Sequence, residues 1–416
     1  VQNWVTTTDE TNSNPYWLLN RERPVVERNR YEFGGSIKYQ IIDGLSLTGR
    51  MRYERADEHY VRNHYASSYG NKYTYGKMDD NRYFSEQLYA DLLAQYNHTW
   101  DDFSLNATLG TSMMQTRSNN VSLLYEQSKF VAPGNGGAYY PNIFNPSNFY
   151  MNGTTMGLER KRLNSVFGAV TFGFKEALFL DVTARNDWSS TLPAESRSYF
   201  YPSVAGSFIL TEVLPKMRGV DLLKVRGSWT RTKMDLGVYD IDRSYTISAD
   251  RWGGMSGADY PDKIRGSVNP ETKDAYEVGV AGIFFGNRLR ADVTYYQTLS
   301  YDFVKDGTVS NASGFTHKKI NTKEELLRRG AEVMLSATPV KTKDWRWDTG
   351  VNWSLDRYYY HKLDPEYSNA SPWVYEGARW DWIAIQDWER DPDGNIVHGS
   401  NGLPVLSQYK SKRGVY

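Results

Sequence analysis

The chain of 416 residues contains no cysteine. That excludes disulfide frameworks, thiolate zinc sites, iron–sulfur clusters and cysteine nucleophiles. Neither sign of charge is in excess, with 49 Lys+Arg against 49 Asp+Glu. A nucleic-acid binder advertises a basic face, so no nucleic-acid partner is expected. No apolar run reaches the ~18 residues that a bilayer-crossing helix needs. No Gly-x-Ser-x-Gly elbow, phosphate loop or His-Glu-x-x-His motif occurs. The six histidines (His59, His64, His98, His317, His361 and His398) fall at no metal-ligand spacing. No catalysis and no cofactor are therefore expected. What is abundant is Tyr (32), Gly (34) and Trp (13), too many aromatics for a chain that buries nothing. The length suits two or three domains or one large β-architecture. Starting at Val1 without Met, the chain reads as a mature or internal piece of a longer product.

The dominant pattern has period two. Tyr31, Phe33, Gly35, Ile37, Tyr39 and Ile41 alternate with polar or small residues. Asp43-Gly44 follows, a favoured two-residue hairpin turn. Then Leu45, Leu47, Gly49, Met51 and Tyr53 alternate with Ser46, Thr48, Arg50 and Arg52. Strands give this pattern and helices do not. The unit recurs through turns at Asp101-Asp102, Glu176-Ala177, Gly286-Asn287 and 341–344, with a looser pair joined near 211–221. The count is about twelve strands of roughly 10–16 residues.

Turn lengths alternate as well. Connections inside a pair are short, whereas those between pairs span about 56–81, 118–159, 235–272 and 305–324, with a shorter one at 189–197. Short turns on one side and long loops on the other characterise an outer-membrane barrel. One face of the strands is Leu, Val, Ala, Phe, Trp and Gly. The other carries Lys38, Arg50, Arg52, Asn106, Asp181, Arg185, Lys224, Arg226, Arg290, Asp292, Arg346, Asp348 and Asn352. Lipid does not hold such a row, but a water-filled lumen does. Trp100, Trp188, Tyr199, Tyr201, Tyr295, Tyr358 and Tyr359 suit interfacial girdles. A soluble antiparallel sandwich or propeller alternates in the same way; the alternation of loop lengths favours the barrel.

At 164–210 the sequence becomes more specific. Asn164-Ser-Val-Phe-Gly-Ala-Val-Thr-Phe-Gly-Phe-Lys175 is followed by Leu178-Phe-Leu-Asp-Val-Thr-Ala-Arg-Asn-Asp-Trp-Ser-Ser190 and Tyr199-Phe-Tyr-Pro-Ser-Val-Ala-Gly-Ser207. Leu223-Lys-Val-Arg-Gly-Ser-Trp229, Asn269-Pro-Glu-Thr-Lys273, Asn287-Arg-Leu289, Val293-Thr-Tyr-Tyr296, Arg329-Gly330 with Glu332, and Asp391-Pro-Asp-Gly394 follow in order. This series resembles the barrel of the SusC/RagA family, the TonB-dependent outer-membrane transporters of Bacteroidetes. The resemblance is sharp over about 164–395 and looser before.

The resemblance implies an all-β fold: an antiparallel transmembrane β-barrel in which this chain supplies about 12 of 22 strands. The whole of 1–416 would be partial barrel with long extracellular loops. The plug, the TonB box and the last strands would lie outside the chain. It further implies import of a nutrient, an oligosaccharide or a peptide, at the cell outer membrane. The expected partners are a SusD-like surface lipoprotein, the TonB complex acting through the plug, and outer-membrane lipid. The polar row would then face the lumen. Loops 118–159 and 235–272 would meet the lipoprotein.

Other candidates stand beside plainer readings. Trp373, Tyr375, Trp380, Trp382 and Trp388 cluster among Glu376, Arg379, Asp381 and Asp387, while Trp252 and Tyr260 lie in another long loop. Aromatic faces with nearby carboxylates grip ligands, and equally serve protein contact or loop packing. Asp391 to Asn395 offers oxygens to calcium or forms a simple turn. Thr322-x-x-Glu325 resembles a helix capping box before Lys323 to Arg329, or belongs to a loop. The competing class is a secreted β-rich glycan-binding protein or hydrolase, which needs a convergent carboxylate pair that no spacing suggests.

Overall fold

The structure is a computed structural model, which describes residues 15–65, 76–126, 142–146, 150–241, 246–248, 257–259, 263–264, 266–369, 371 and 373–414. A short helix, α1 (Pro15–Arg21), precedes a succession of strands. These are β1 (Val25–Ile42), β2 (Leu45–His64), β3 (Lys77–Trp100), β4 (Phe103–Glu126), β5 (Tyr150–Phe174), β6 (Leu178–Ser189), β7 (Ser198–Ile209) and β8 (Val220–Met234). Short strands β9 (Thr246–Ser248), β10 (Gly257–Asp259) and β11 (Lys263–Ile264) come next. After them run β12 (Glu271–Phe284), β13 (Leu289–Tyr301), β14 (Val304–Thr308), β15 (His317–Asn321), β16 (Glu325–Lys341), β17 (Arg346–Lys362), β18 (Trp382–Trp388) and β19 (Leu406–Gly414). Among the described residues no helix is long and apolar enough to cross a membrane.

Twelve strands form one antiparallel sheet in the order β1-β2-β3-β4-β5-β6-β7-β8-β12-β13-β16-β17. Each large strand neighbours the next in sequence, the up-and-down order that successive hairpins enforce. The excursions between them build small sheets, β9 with β10, and β11 and β14 with β15, and after β17 the chain pairs β18 with β19. The expected dozen strands are present, but they are longer than the pattern suggested, reaching 24 residues in β3 and β4 and 25 in β5. Much of the expected long connections 56–81 and 118–159 is therefore strand. Alternation persists there with charged residues on both faces, which hides it from a search for apolar rows.

The chain divides into two compact units, Val1–Tyr39 with Thr48–Leu92 and Thr111–Asn164, and Gln40–Leu47 with Leu93–Gly110 and Ser165–Tyr416. In the second unit register is explicit. One cross-strand row reads Phe208, Val225, Val280, Val293, Val333, Trp353. The next reads Gly206, Gly227, Val278, Tyr295, Ala331, Leu355. These rows stay uncovered: Val278 is 62%, Tyr295 49%, Val293 46% and Trp353 51% exposed, and Val351, in the adjoining row, is 59% exposed. A soluble sandwich would bury them against a second layer. Among the described residues the apolar core cluster is small and lies where long connections leave the strands: Leu192, Tyr199, Leu236, Ile241 and Val268, with Tyr201 and Val304 packed on it.

Several hairpins differ locally from expectation. Arg30 meets Glu54 at 2.8 Å and Arg52 meets Glu32 at 3.0 Å, so even-numbered residues of β1 and β2 share a face. A two-residue turn at Asp43-Gly44 would pair even with odd positions. One additional residue must therefore be looped out, and only Gly44 of that dipeptide has positive φ, at 82°. That fits a turn closed by a glycine bulge instead of the two-residue type. In the β5–β6 hairpin the left-handed residues are Lys175 (φ 52°) and Glu176 (φ 53°), not Glu176-Ala177, and the Ala177 N–H donates to Phe174 O at 3.0 Å. Thr171 and Asp181 touch at 2.5 Å, again like-numbered parity. The expected turn at Asp101-Asp102 stands, with Asp101 at positive φ.

In the β16–β17 pair a bulge lies between Ala337 and Val340. It holds Pro339, which has no N–H to give the ladder. The extra residue brings Val340 opposite Trp347. The helix considered at Lys323 to Arg329 is absent, because Glu325 already opens β16. Thr322 instead donates its hydroxyl to Phe303 O at 3.4 Å. Trp382 to Trp388 is strand β18 and not loop.

Candidate functional site

The polar residues singled out above share faces. In the second unit the row Lys224, Ala281, Asp292, Met334, Asn352 lies beside Arg226, Gly279, Thr294, Glu332, Ser354. Both alternate with the apolar rows. Arg226 lies across Gly279, where a Cβ would meet its guanidinium at 2.8 Å. From there it donates to both oxygens of Asp292, at 2.9 and 2.8 Å, and to Thr294 Oγ1 at 2.6 Å, with Glu277 3.5 Å away. Arg185 donates to Asp187 (2.7 Å) and to Ser165 (2.8 Å), while Tyr201 donates to the same Asp187 (2.7 Å). Asp181 accepts from Thr171. Arg346 and Thr338 both donate to Asp348. Arg290 donates to Asn287 at 2.6 Å.

In the first unit Arg50 forks onto Asp91, and Arg52 bridges Glu32 and Glu54. Lys38 is exposed and has no ion pair among the described residues.

Three partners escaped the sequence reading. Arg328 pairs with Asp356 through two N–H donors at 2.9 and 2.8 Å and stacks between Tyr296 (5.5 Å) and Tyr358 (5.4 Å). The Tyr296 ring lies flat across Gly330, within 2.5 Å of where a Cβ would stand. Asp91 is the third. Which of them pair depends on residues far apart in sequence, so no local run of charge marks them. Arg226, Asp292, Thr294, Tyr296, Glu332 and Asn352 line a cavity of about 590 Å³. Nearly all the charge on this face is compensated within the protein, giving a wettable wall without a strong field of one sign.

Of the aromatic candidates, Trp380 (50% exposed) approaches Tyr358 at 5.8 Å between ring centres, beside the Arg379–Asp381 pair. The Arg379 guanidinium holds the Asp381 carboxyl below the usual carboxylate range. Tyr375 and Trp388 are exposed and Trp373 is half-buried. The Trp382 side chain, and all of Trp252 and Tyr260, lie outside the described residues. Asp391 forms a turn, accepting N–H bonds from Asn395 (2.8 Å) and Asp393 (3.0 Å). Both donate to Oδ1, and Asn395 Nδ2 donates to Oδ2 at 3.2 Å; together they hold the carboxyl low and use the oxygens calcium would need. Among the described residues no group of three or more His, Asp or Glu has metal-binding geometry. Five of the six histidines contact carboxylates (His59, His64, His361), rings (His98) or a hydroxyl (His317).

Residues 2–410 match the family model described as "TonB dependent receptor-like, beta-barrel". Two curated relatives come from Formosa agariphila. TonB-dependent receptor P26 is 24% identical over 205 residues, 47% of this chain and 20% of that protein. TonB-dependent receptor P3 is 24% identical over 213 residues, 50% of this chain and 21% of that protein. Among solved structures, that of the RagAB peptide importer in its "closed-closed" state superposes with a TM-score of 0.76 at 17% identity, covering 100% of this chain and 47% of that one. The chain thus spans about half the length of the solved chain and matches about a fifth of each curated relative.

Proposed function

Since the chain belongs to the family of TonB-dependent receptor-like β-barrels of the outer membrane, we propose that it is lipid-facing wall, lumen lining and surface loops of a nutrient importer. One observation carries this reading: two registered apolar rows of the second unit are ordered yet uncovered, on the face opposite the paired arginines and aspartates. Hydrocarbon suits the first face and water the second. The lumen row is Lys38, Arg50, Arg52, Asp181, Arg185, Arg226, Arg290, Asp292, Arg346 and Asp348. It is lined with bidentate pairs that offer hydrogen bonds without trapping a cargo of one charge.

The cargo is a peptide or an oligosaccharide. RagAB is a peptide importer; the SusC/RagA resemblance admits both. A SusD-like lipoprotein would deliver cargo at the connections within 118–159 and 235–272 that join β4 to β5 and β8 to β12, and TonB would act through the plug of the whole protein. Exposed Tyr375, Trp380 and Trp388, together with Trp252, Tyr260, Trp373 and Trp382, are the proposed ligand or partner contacts.

The test is uptake by cells carrying the full-length protein, with labelled oligopeptides in one arm and labelled oligosaccharides in the other, each with and without TonB. TonB-dependent uptake in either arm supports import and names the cargo. No dependence in both arms, or recovery of the protein without detergent, overturns it.

A further inference from the structure

On the apolar face of the second unit, the cross-strand row next towards the long connections reads Val204, Trp229, Tyr276, Gln297, Arg329, Arg357. Arg329 and Arg357 stand directly opposite each other. Like charges so placed repel and destabilise a sheet. Both side chains are exposed, and neither has an ion pair among the described residues. The carboxylate that feels Arg357 is Asp381, already taken by both donors of Arg379. The Arg329 guanidinium is steadied over the Tyr359 ring at 4.6 Å. Nearly every other arginine on these strands has a carboxylate partner or another acceptor, so this pair is an exception the protein does not compensate.

Height places the pair. Along β17 the same face carries Trp345, Trp347, Thr349, Val351, Trp353 and Leu355 before Arg357. Those ten residue steps at ~3.3 Å, tilted about 45°, give about 23 Å of apolar wall, close to the ~25 Å band of such barrels. The two guanidinia therefore sit just past the hydrocarbon edge, beside the Trp229 and Tyr276 girdle, at the end where β16 and β17 meet long connections instead of the 342–345 turn. We propose that Arg329 and Arg357 form a binding site for the phosphate of outer-leaflet lipopolysaccharide. Two planar forks of donors match a phosphate's oxygens, and the anion removes the repulsion between them. This rests on the lipid-facing assignment above.

The test uses the full-length protein purified in mild detergent. Native mass spectrometry would measure binding of lipid A, and of lipid A stripped of phosphate, to wild type and to the Arg329→Gln/Arg357→Gln double variant. Wild type should prefer the phosphorylated form by about tenfold, a preference the double variant loses. Arg346→Gln, at the opposite end of the strand, should keep it. Equal binding of both lipids by wild type overturns the proposal, even if the double variant fails to assemble. So does a double variant that binds phosphorylated lipid A as wild type does. If Val293→Asp and Val351→Asp barrels insert normally, the lipid-facing reading falls too; if they do not, only the phosphate site does.

Discussion

Arg50 on β2 holds Asp91 on β3 through two parallel contacts, Nε to Oδ1 at 2.9 Å and Nη2 to Oδ2 at 2.8 Å, and the Asp91 side chain is 0% exposed. The arginine is half open to water, but its partner is not. Reversing the charge with Arg50→Glu would leave Asp91 facing a second carboxylate with no route to solvent. A loss of about 1–3 kcal/mol and a lower yield of inserted barrel are expected. Arg346, 66% exposed beside Asp348, itself 55% exposed, should tolerate the same change at little cost. Quantifying the heat-resistant band for both variants separates them; similar yields would remove the distinction.

The uncovered rows give a second expectation. Asp at Val293 or Val351 should lower the inserted fraction, at up to about 2 kcal/mol per site near the bilayer centre. Asp at Ser354, three residues beyond Val351 and on the opposite face, should not. Equal tolerance at the three positions would contradict the assignment of faces.

Lys175 and Glu176 both sit in left-handed backbone, which costs an L side chain roughly 1–2 kcal/mol. Replacing Glu176 with Gly should stabilise the hairpin by about 0.5–1 kcal/mol after the entropy glycine adds to the unfolded chain. The readout is the denaturant midpoint of the barrel in lipid vesicles, which should rise. The same change at Ala177, outside the positive-φ pair, should lower it or leave it unchanged.

Gly330 leaves no room for a methyl group: a Cβ would stand 2.2 Å from Leu355 O and 2.5 Å from the Tyr296 ring. Gly330→Ala should impair assembly. Adding Tyr296→Ala should not rescue it, because the closer obstacle is backbone. Recovery in the double variant would show that the ring, not the neighbouring strand, sets the limit.

Asp364 lies in the connection after β17. Burial pushes its carboxyl up, but N–H groups of Lys323 (2.7 Å), Glu366 (2.9 Å) and Tyr367 (3.1 Å) together hold it below the ordinary range. A carboxyl lower in the folded than the unfolded chain stabilises above its unfolded value, near ~3.9, and loses that contribution as pH falls through the folded one. Protection of those three amides against hydrogen exchange should be constant from neutrality to about pH 4 and fall below it. Asp364→Ala should lose it at every pH.

Strand identity and the two faces were legible because period two survives wherever one face must be greasy: Val278, Val280 and Gly282 announce β12 without help. Turn type was not. Asp43-Gly44 reads as a two-residue turn by local preference, although the odd-numbered apolar residues on both strands already conflict with it, and the Arg30–Glu54 and Arg52–Glu32 contacts show the extra residue. The outer parts of β3, β4 and β5 carry polar residues on both faces, so nothing in composition separates them from loop. Thr322 and Glu325 match a helix start locally, but pairing with β17 decides the conformation. Partner choice, as between Arg328 and Asp356, depends on which strands lie side by side, and no single segment encodes that.

The bulge at Pro339 has an evolutionary corollary. A strand with alternating faces is read in steps of two, so one inserted or deleted residue inverts every side chain downstream, as a frameshift garbles codons. Between Ala337 and Val340 the chain already contains one such slip, and the shifted register runs only from Val340 to Lys341 opposite Arg346 before the turn ends it. Length changes confined to this stretch should therefore be tolerated singly, whereas elsewhere in the long strands they should survive only in pairs.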